Sequence, residues 1–345
     1  MPFDLASQPL WVLFAGFVVT GVAIWFAGTK LTNLVDEFAD RTGLGHALAG
    51  MLLLGGITSL PEIATVSTSS ASGNPQLAIN NLLGSAAINV MLLGVGDMIF
   101  GRDALTSMVA KPSTLLQGVL GMILLAAVAL IITSGDFLIP YAGVGIGTVV
   151  LAIGCIAALR IASRFEREHV WEAVDQPDYN AKKPQRPDRS MTRLVVLLIL
   201  AALVILVAGA ALSMVGDGIA EATGLGTSLI GFVLVGFGTS LPELSSIFAA
   251  LRLRRYQLAI GDIFGTNLFN IVLLLLADAV YREDAVLRTA GAFEVAAASL
   301  GAVLTGIFVV GLLERRDRTV WRMGHDTVLA LGVFGAGLFA LSRLA

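Results

Sequence analysis

The sequence has one cysteine, Cys155, in the middle of an apolar run, so it carries neither a disulfide nor a cysteine-based metal site. Its three histidines, His46, His169 and His325, all fall at loop positions, which argues against a zinc site. Charge is scarce: only 14% of residues are charged, 56% are hydrophobic and the mean hydropathy is +0.85. That balance excludes a soluble globular core. The net charge of −3, with no basic patch outside the loops, offers nucleic acid nothing to bind. There is no HExxH, no cysteine nucleophile and no histidine near Ser59 or Ser240 in sequence, so the reading is not an enzyme. Met1–Pro9 has neither a basic residue nor a cleavage signal, and the first hydrophobic run reads as a retained helix rather than a signal peptide.

Apolar runs of the length that crosses a bilayer as helix, about 20 residues, are abundant. Ten are expected, at 9–28, 47–71, 77–100, 113–134, 138–160, 193–213, 227–251, 257–279, 288–312 and 325–343. With the charged segment Arg160–Arg193 placed in the cytoplasm, 19 of the 22 Lys and Arg residues fall on that side; Arg282, Arg288 and Arg343 are the exceptions. The positive-inside rule then places both termini outside.

One phrase occurs twice. Thr58-Ser59-Leu60-Pro61-Glu62 and Thr239-Ser240-Leu241-Pro242-Glu243 both read TSLPE, 181 residues apart. Gly55–Asp97 lies on Gly236–Asp278 without a gap, with 15 identities in 43 positions, and the register extends back to Ala27-Gly28 on Ala208-Gly209. Each unit then holds five helices, and an odd number inserts the second copy upside down. The expected fold is an all-α membrane protein of ten transmembrane helices in two inverted five-helix repeats. The units are 1–163, with its motif at 55–97, and 192–345, with its motif at 236–278. Residues 164–191 are a cytoplasmic linker, favoured over a regulatory ion sensor. Inverted repeats with helices broken at matching places point to a secondary transporter with a midplane site.

Between Arg41 and Arg102 the ionisable side chains are His46, Glu62 and Asp97 alone. A carboxylate at a helix centre costs roughly 2.5–3.5 kcal/mol to insert and is normally kept for an ion or substrate path. Pro61 and Pro242 each break a helix at roughly 3 kcal/mol in an ordinary setting, and freed carbonyls in a membrane need a partner. Each motif therefore offers carbonyls near Gly55 or Gly236, the hydroxyls of Thr58 and Ser59 or Thr239 and Ser240, and one carboxylate. Thr58 and Ser59, four and three residues before Glu62, can share its helix face. The next helix adds polar stripes at four-residue spacing, Asn81, Ser85 and Asn89 in one copy and Asp262, Thr266 and Asn270 in the other. Such an all-oxygen set suits hard cations, above all Ca2+. Two glutamates give −2, which balances one divalent ion, two monovalent ions or two protons.

These residues carry a resemblance. The repeated TSLPE followed by Gly84-Ser85 or Gly265-Thr266 and then Asn89 or Asn270 resembles the paired alpha-repeats of the sodium/calcium exchanger family, within the cation/calcium antiporter superfamily, and a bacterial-type member of it. The resemblance implies alternating access, with the two outer helices of the halves sliding past an eight-helix core. It implies that Glu62 and Glu243 are shared Ca2+ and Na+ ligands. It further implies that Thr58, Ser59, Thr239, Ser240, Ser85 and Thr266 are Na+ ligands and that the carbonyls of Gly55 and Gly236 stand where relatives use alanine carbonyls. Asn89 and Asn270 fall at a pair that is Asn plus Asp in several members. The implied cargo is Ca2+ and Na+, with H+ or K+ left open, and no cofactor; the implied partners are the lipid bilayer and inorganic cations, with no protein partner. The implied location is the cytoplasmic (inner) membrane of a prokaryote.

The sequence also departs from the pattern. Asn270 removes a possible third carboxylate, Ile57 replaces a glycine that Gly238 keeps, and the expected Gly-Asn is Asn80-Asn81 in one copy and Gly261-Asp262 in the other. Asp262 reads as a solvated helix-end acid rather than a carboxylate on the cytoplasmic approach. Asp97 and Asp278 read as interfacial caps rather than ion-entry residues. Glu294, with Ser113 as its repeat mate, reads as snorkelling to the outer surface rather than binding protons. The rival functions are Ca2+/H+ exchange on the same architecture and, in a different class, a passive cation channel.

Overall fold

Runs of Leu, Ala, Val and Ile with few breakers fold as long helices, because in lipid only a helix or a closed barrel satisfies every backbone polar group internally. The computed structural model describes residues 8–100, 104–109, 111–168, 189–223, 236–315, 319–320 and 323–344. In chain order the helices are α1 (Leu10–Thr42), α2 (His46–Ala71, broken internally), α3 (Pro75–Phe100), α4 (Pro112–Ser134), α5 (Ile146–Glu168), α6 (Met191–Thr223), α7 (Leu241–Arg252, led in by the turn Gly236–Thr239), α8 (Tyr256–Tyr281), α9 (Ala292–Glu314) and α10 (His325–Leu341). Antiparallel two-residue hairpins, Leu138–Ile139 with Val144–Gly145 and Thr319–Val320 with Met323–Gly324, lead into α5 and α10. Among the described residues eight helices are long and apolar enough to cross a membrane; α10, at 17 residues, is a shorter apolar helix. Residues 227–235 of the expected seventh run, and 169–188 of the expected linker, lie outside the described residues.

The repeat seen in sequence recurs in the elements. The bounds of α1 and α6, of α3 and α8, and of Leu60–Ala71 and α7 are each 181 residues apart. So are the 3-10 turns Leu105–Met108 and Val286–Thr289. α3 and α8 pack on each other at the centre, and α1 packs on α6 and α7. Large apolar side chains face outward on α1 (Trp11, Phe14, Phe26), α6 (Ile199, Val207) and α9 (Val303, Val310). That is the surface expected where lipid is the solvent.

α1 runs well beyond the expected 9–28. Its polar end stays helical because its acids are paired: Arg41 meets Glu37 at 2.7 Å one turn away, and Arg255, ahead of α8, meets Asp36 at 2.6 Å and Asp40 at 3.0 Å. His46, opening α2, adds contacts of 3.1 and 3.3 Å to the same two aspartates. These pairs fix the end of α1 to the bundle.

Candidate cation site

Proline sets the local geometry. α2 changes to a π turn over Gly50–Leu54, resumes over Gly55–Thr58, and breaks at Ser59 (φ −74°, ψ 2°) before Leu60–Ala71. Ser240 (φ −82°, ψ 5°) repeats the break ahead of α7. Pro61 and Pro242 then sit in the first turn of a new helix, where the missing N–H costs nothing. Glu62 and Glu243 fall in those same first turns, at the positive end of the helix dipole. Both are fully buried, at 0% exposure.

The TSLPE threonine beside each glutamate comes from the other copy of the motif. Glu62 faces the hydroxyls of Thr239 and Ser85, and Glu243 faces that of Thr58, in each case without hydrogen-bonding geometry. Thr239 Oγ1 lies 3.1 Å from Ser85 Oγ and donates to Asn81 Oδ1 at 3.2 Å. The matching set in the other half has Thr58 Oγ1 3.3 Å from Thr266 Oγ1 and donating to Asp262 Oδ1 at 3.4 Å. The expectation that Thr58 and Ser59 share a helix face with Glu62 is therefore corrected. The break at Ser59 turns Thr58 toward α8, and Ser59 donates to the Gly55 carbonyl at 2.6 Å.

The carbonyls of Gly55 and Gly236 are likewise engaged rather than exposed. Gly55 O also receives the backbone N–H of Ser59 at 3.3 Å. Gly236 O receives Ser240 N–H at 3.1 Å and the hydroxyls of Thr239 and Ser85 at 3.3 and 3.4 Å. Both glycines lie directly on the other copy's polar helix: a Cβ at Gly55 would stand 2.7 Å from Thr266 N, and one at Gly236 would stand 3.2 Å from Ser85 N. Asn89 donates to Asn267 Oδ1 at 3.3 Å. Every residue of the expected set is thus buried in one region between α2, α3, α7 and α8.

Several polar atoms at this place, most of them acceptors, have no partner among the described residues. Both carboxylate oxygens of Glu62 and of Glu243, Ser240 Oγ, Asn89 Oδ1, Asn81 Nδ2 and the whole amide of Asn270 are buried with no partner residue among those described. Neither glutamate has an ion pair there. Burying charge without a partner is far costlier than burying a hydrogen-bonded group, so such a cluster of oxygens calls for a cation or proton. Carboxylates, hydroxyls and amide oxygens are hard donors and fit Ca2+ and Na+ as cargo.

Four residues stand otherwise than the sequence suggested or escaped it. Asp262 is not a solvated helix-end acid: it has 0% exposure, accepts from Thr58 and Ser246, and its charge lies close to that of Glu243. Glu294 does not snorkel. At 3% exposure it accepts from Asn80 Nδ2 at 2.9 Å and from the Gly291 backbone at 2.7 Å, capping α9. Asn267, which sends its amide to Ala86 O at 3.1 Å, has an alanine as repeat mate and so gave no repeat signal. Ser246 has Thr65 as its mate, and only its contact with Asp262 marks it out.

Asp97 and Asp278 are caps, and matching ones. Asp97 accepts from the backbone of Leu105 (2.7 Å) and Gly324 (2.8 Å) and the hydroxyl of Thr327 (2.8 Å). Asp278 accepts from the backbone of Val286 (2.8 Å) and Gly145 (2.6 Å) and the hydroxyl of Thr148 (2.5 Å).

Comparison with known proteins adds to this geometry. Residues 12–163 and 193–341 match the family described as sodium/calcium exchanger protein. CaxA of Alkalimonas amylolytica, named for antiport, is 27% identical over 317 residues, spanning 88% of this chain and 92% of its own. The inner membrane protein YrbG of Escherichia coli is 27% identical over 267 residues, spanning 75% and 76%. Among solved structures, the sodium-calcium exchanger NCX_Mj soaked with Na+ and Sr2+ aligns with a TM-score of 0.69 at 19% identity, over 96% of this chain and 99% of that one. The same exchanger soaked with zero Na+ and Ca2+ aligns at 0.67 with 22% identity. At these identities the likeness is one of fold.

Proposed function

This chain belongs to the sodium/calcium exchanger family, and from that premise we propose that it exchanges Ca2+ for Na+ across a membrane by alternating access. It is an integral membrane protein with the architecture of an antiporter. The observation that carries the finer reading is the pair of fully buried glutamates, Glu62 and Glu243, whose carboxylate oxygens have no partner among the described residues and which each face the TSLPE threonine of the opposite motif copy. A buried pair of negative charges between two halves is neutralised alternately by one divalent ion or by monovalent ones. That exchange is antiport.

The ligand set is Glu62, Glu243, Thr58, Ser59, Thr239, Ser240, Ser85, Thr266, Asn89 and Asn270, with the carbonyls of Gly55 and Gly236. The organisation is two inverted five-helix units, 1–163 and 192–345, joined by 164–191, with both termini outside and the protein in the cytoplasmic membrane of a prokaryote. The matched element bounds at an offset of 181 residues support the repeat. The moving helices are α1 and α6. The test is uptake of radioactive Ca2+ into proteoliposomes holding an outward Na+ gradient, beside vesicles with an equal outward proton gradient and vesicles with neither. Uptake with Na+ alone is expected. Uptake with protons alone would move the protein to H+-coupled exchange, and equal uptake without any gradient would mean a passive pathway.

A further inference from the structure

The two half-sites match except at one rank. In the first, Thr239 lies between Ser85 and Asn81 and faces Glu62; in the second, Thr58 lies between Thr266 and Asp262 beside Glu243. Asn81 and Asp262 are repeat mates, so the second half carries an extra carboxylate where the first carries an amide. Asp262 is fully buried and has no ion pair among the described residues; its contacts there are the hydroxyls of Thr58 and Ser246. Two observations beside it point to a ligand. Both oxygens of Glu243, whose charge it adjoins, are buried with no partner among the described residues. So is the amide of Asn270, two turns further along the same face of α8. Neighbouring carboxylates in a dry interior repel unless a cation lies between them.

We propose that Asp262 is a third cation-binding carboxylate, which raises the charge of the site to −3 and supplies the acidic group that position 270 lacks. The inference rests on the antiport reading and deepens it. With one divalent ion bound, one negative charge stays open to a monovalent ion; with Na+ alone, three ions balance the site. Asp262 thus sets how many Na+ ions the protein holds in place of one Ca2+. A merely structural aspartate, holding Thr58 and Ser246 on its two oxygens, would be replaced by asparagine without altering that number, because the amide oxygen accepts from one hydroxyl and the amide N–H can donate to the other.

The experiment is equilibrium binding of Ca2+ and Na+ to the purified full chain in detergent, for the unaltered protein, Asp262→Asn and Asn81→Asp. The expected result for Asp262→Asn is Ca2+ binding weakened at least tenfold and one fewer Na+ bound at saturation. Asn81→Asp should bind one more Na+. Unchanged affinity and Na+ count in Asp262→Asn would overturn the proposal. If that variant does not fold, Asn81→Asp decides, and an unchanged Na+ count in it would overturn the proposal equally. Failure of the antiport reading looks different: Ca2+ and Na+ binding would respond to Asp262→Asn as expected, while flux in liposomes needed no counter-ion. An unaltered protein that bound no cation would overturn both.

Discussion

At the scale of single residues, Glu62 and Glu243 are costly to bury, and nothing among the described residues pairs with them. Replacement by glutamine removes the charge and keeps the shape, so insertion should survive while binding is lost. We expect Glu62→Gln and Glu243→Gln each to abolish divalent transport with normal amounts in the membrane fraction, read by Ca2+ uptake beside an immunoblot. Normal flux in either would remove that glutamate from the site. Asn270 is the other informative residue, since both polar atoms of its amide are buried with no partner among the described residues. A carboxylate there adds a negative charge one or two turns from Thr266 and Asp262. Asn270→Asp is therefore expected to tighten Ca2+ binding roughly tenfold, the effect of about 1.4 kcal/mol; a titration showing no change would mean this position does not touch the ion.

At the scale of helices, two glycines set how closely the outer pair approaches the broken ones. A Cβ on Gly28 of α1 would meet the hydroxyl of Ser245, which can rotate away, and stand 3.2 Å from the Pro242 carbonyl. A Cβ on Gly209 of α6 would run into the ring of Pro61 and stand 3.0 Å from its Cα. A proline ring beside a helix break cannot move aside, and overpacking of this kind costs typically about 1–3 kcal/mol. Gly209→Ala should therefore lower the thermal unfolding temperature and slow transport more than Gly28→Ala. The reverse order would mean that α1, not α6, makes the tighter crossing. The register match of Ala27-Gly28 with Ala208-Gly209 gains its physical meaning here: each glycine admits the proline of the opposite copy's motif.

At the scale of the whole molecule, the acids at the polar end of α1 are held by Arg255 and Arg189 from outside the helix. Arg255 reaches Asp36 and Asp40 together, and Asp36 is almost fully buried. Removing one partner of a buried pair costs about 3–5 kcal/mol when the other is left alone, and the remaining contacts of Asp36, His46 among them, partly offset that here. Arg255→Met should thus destabilise the detergent-solubilised protein by roughly 2–4 kcal/mol. Arg288→Met, at the exposed pair with Asp284, should cost at most about 1 kcal/mol. Equal thermal shifts in the two variants would show that the cluster does not anchor α1.

Much of this was legible in the sequence because of two regularities. Apolar length announces a helix in lipid, since no other open structure satisfies the backbone there. A repeated motif with a proline and a carboxylate announces a break and a charge at matching places. Hence the helices, the 181-residue register, the buried glutamates and the polar stripes were all readable before any coordinates. What sequence spacing misjudged was partnership. Thr58 looked like a neighbour of Glu62 along one helix, yet the break at Ser59 sends it to Thr266, Asp262 and Glu243. Asp262 reads as a solvated helix-end acid and Glu294, unmatched in the repeat, as a snorkelling one, but neighbouring helices cover both. Burial at a helix end depends on what packs across it, a property of the assembled bundle and not of the segment. The sequence by itself determined a membrane-embedded repeat with a pair of acids in it. Only the tertiary structure decided which hydroxyls face which acid, and that a third carboxylate stands with them, because those contacts join residues roughly 150 to 210 positions apart.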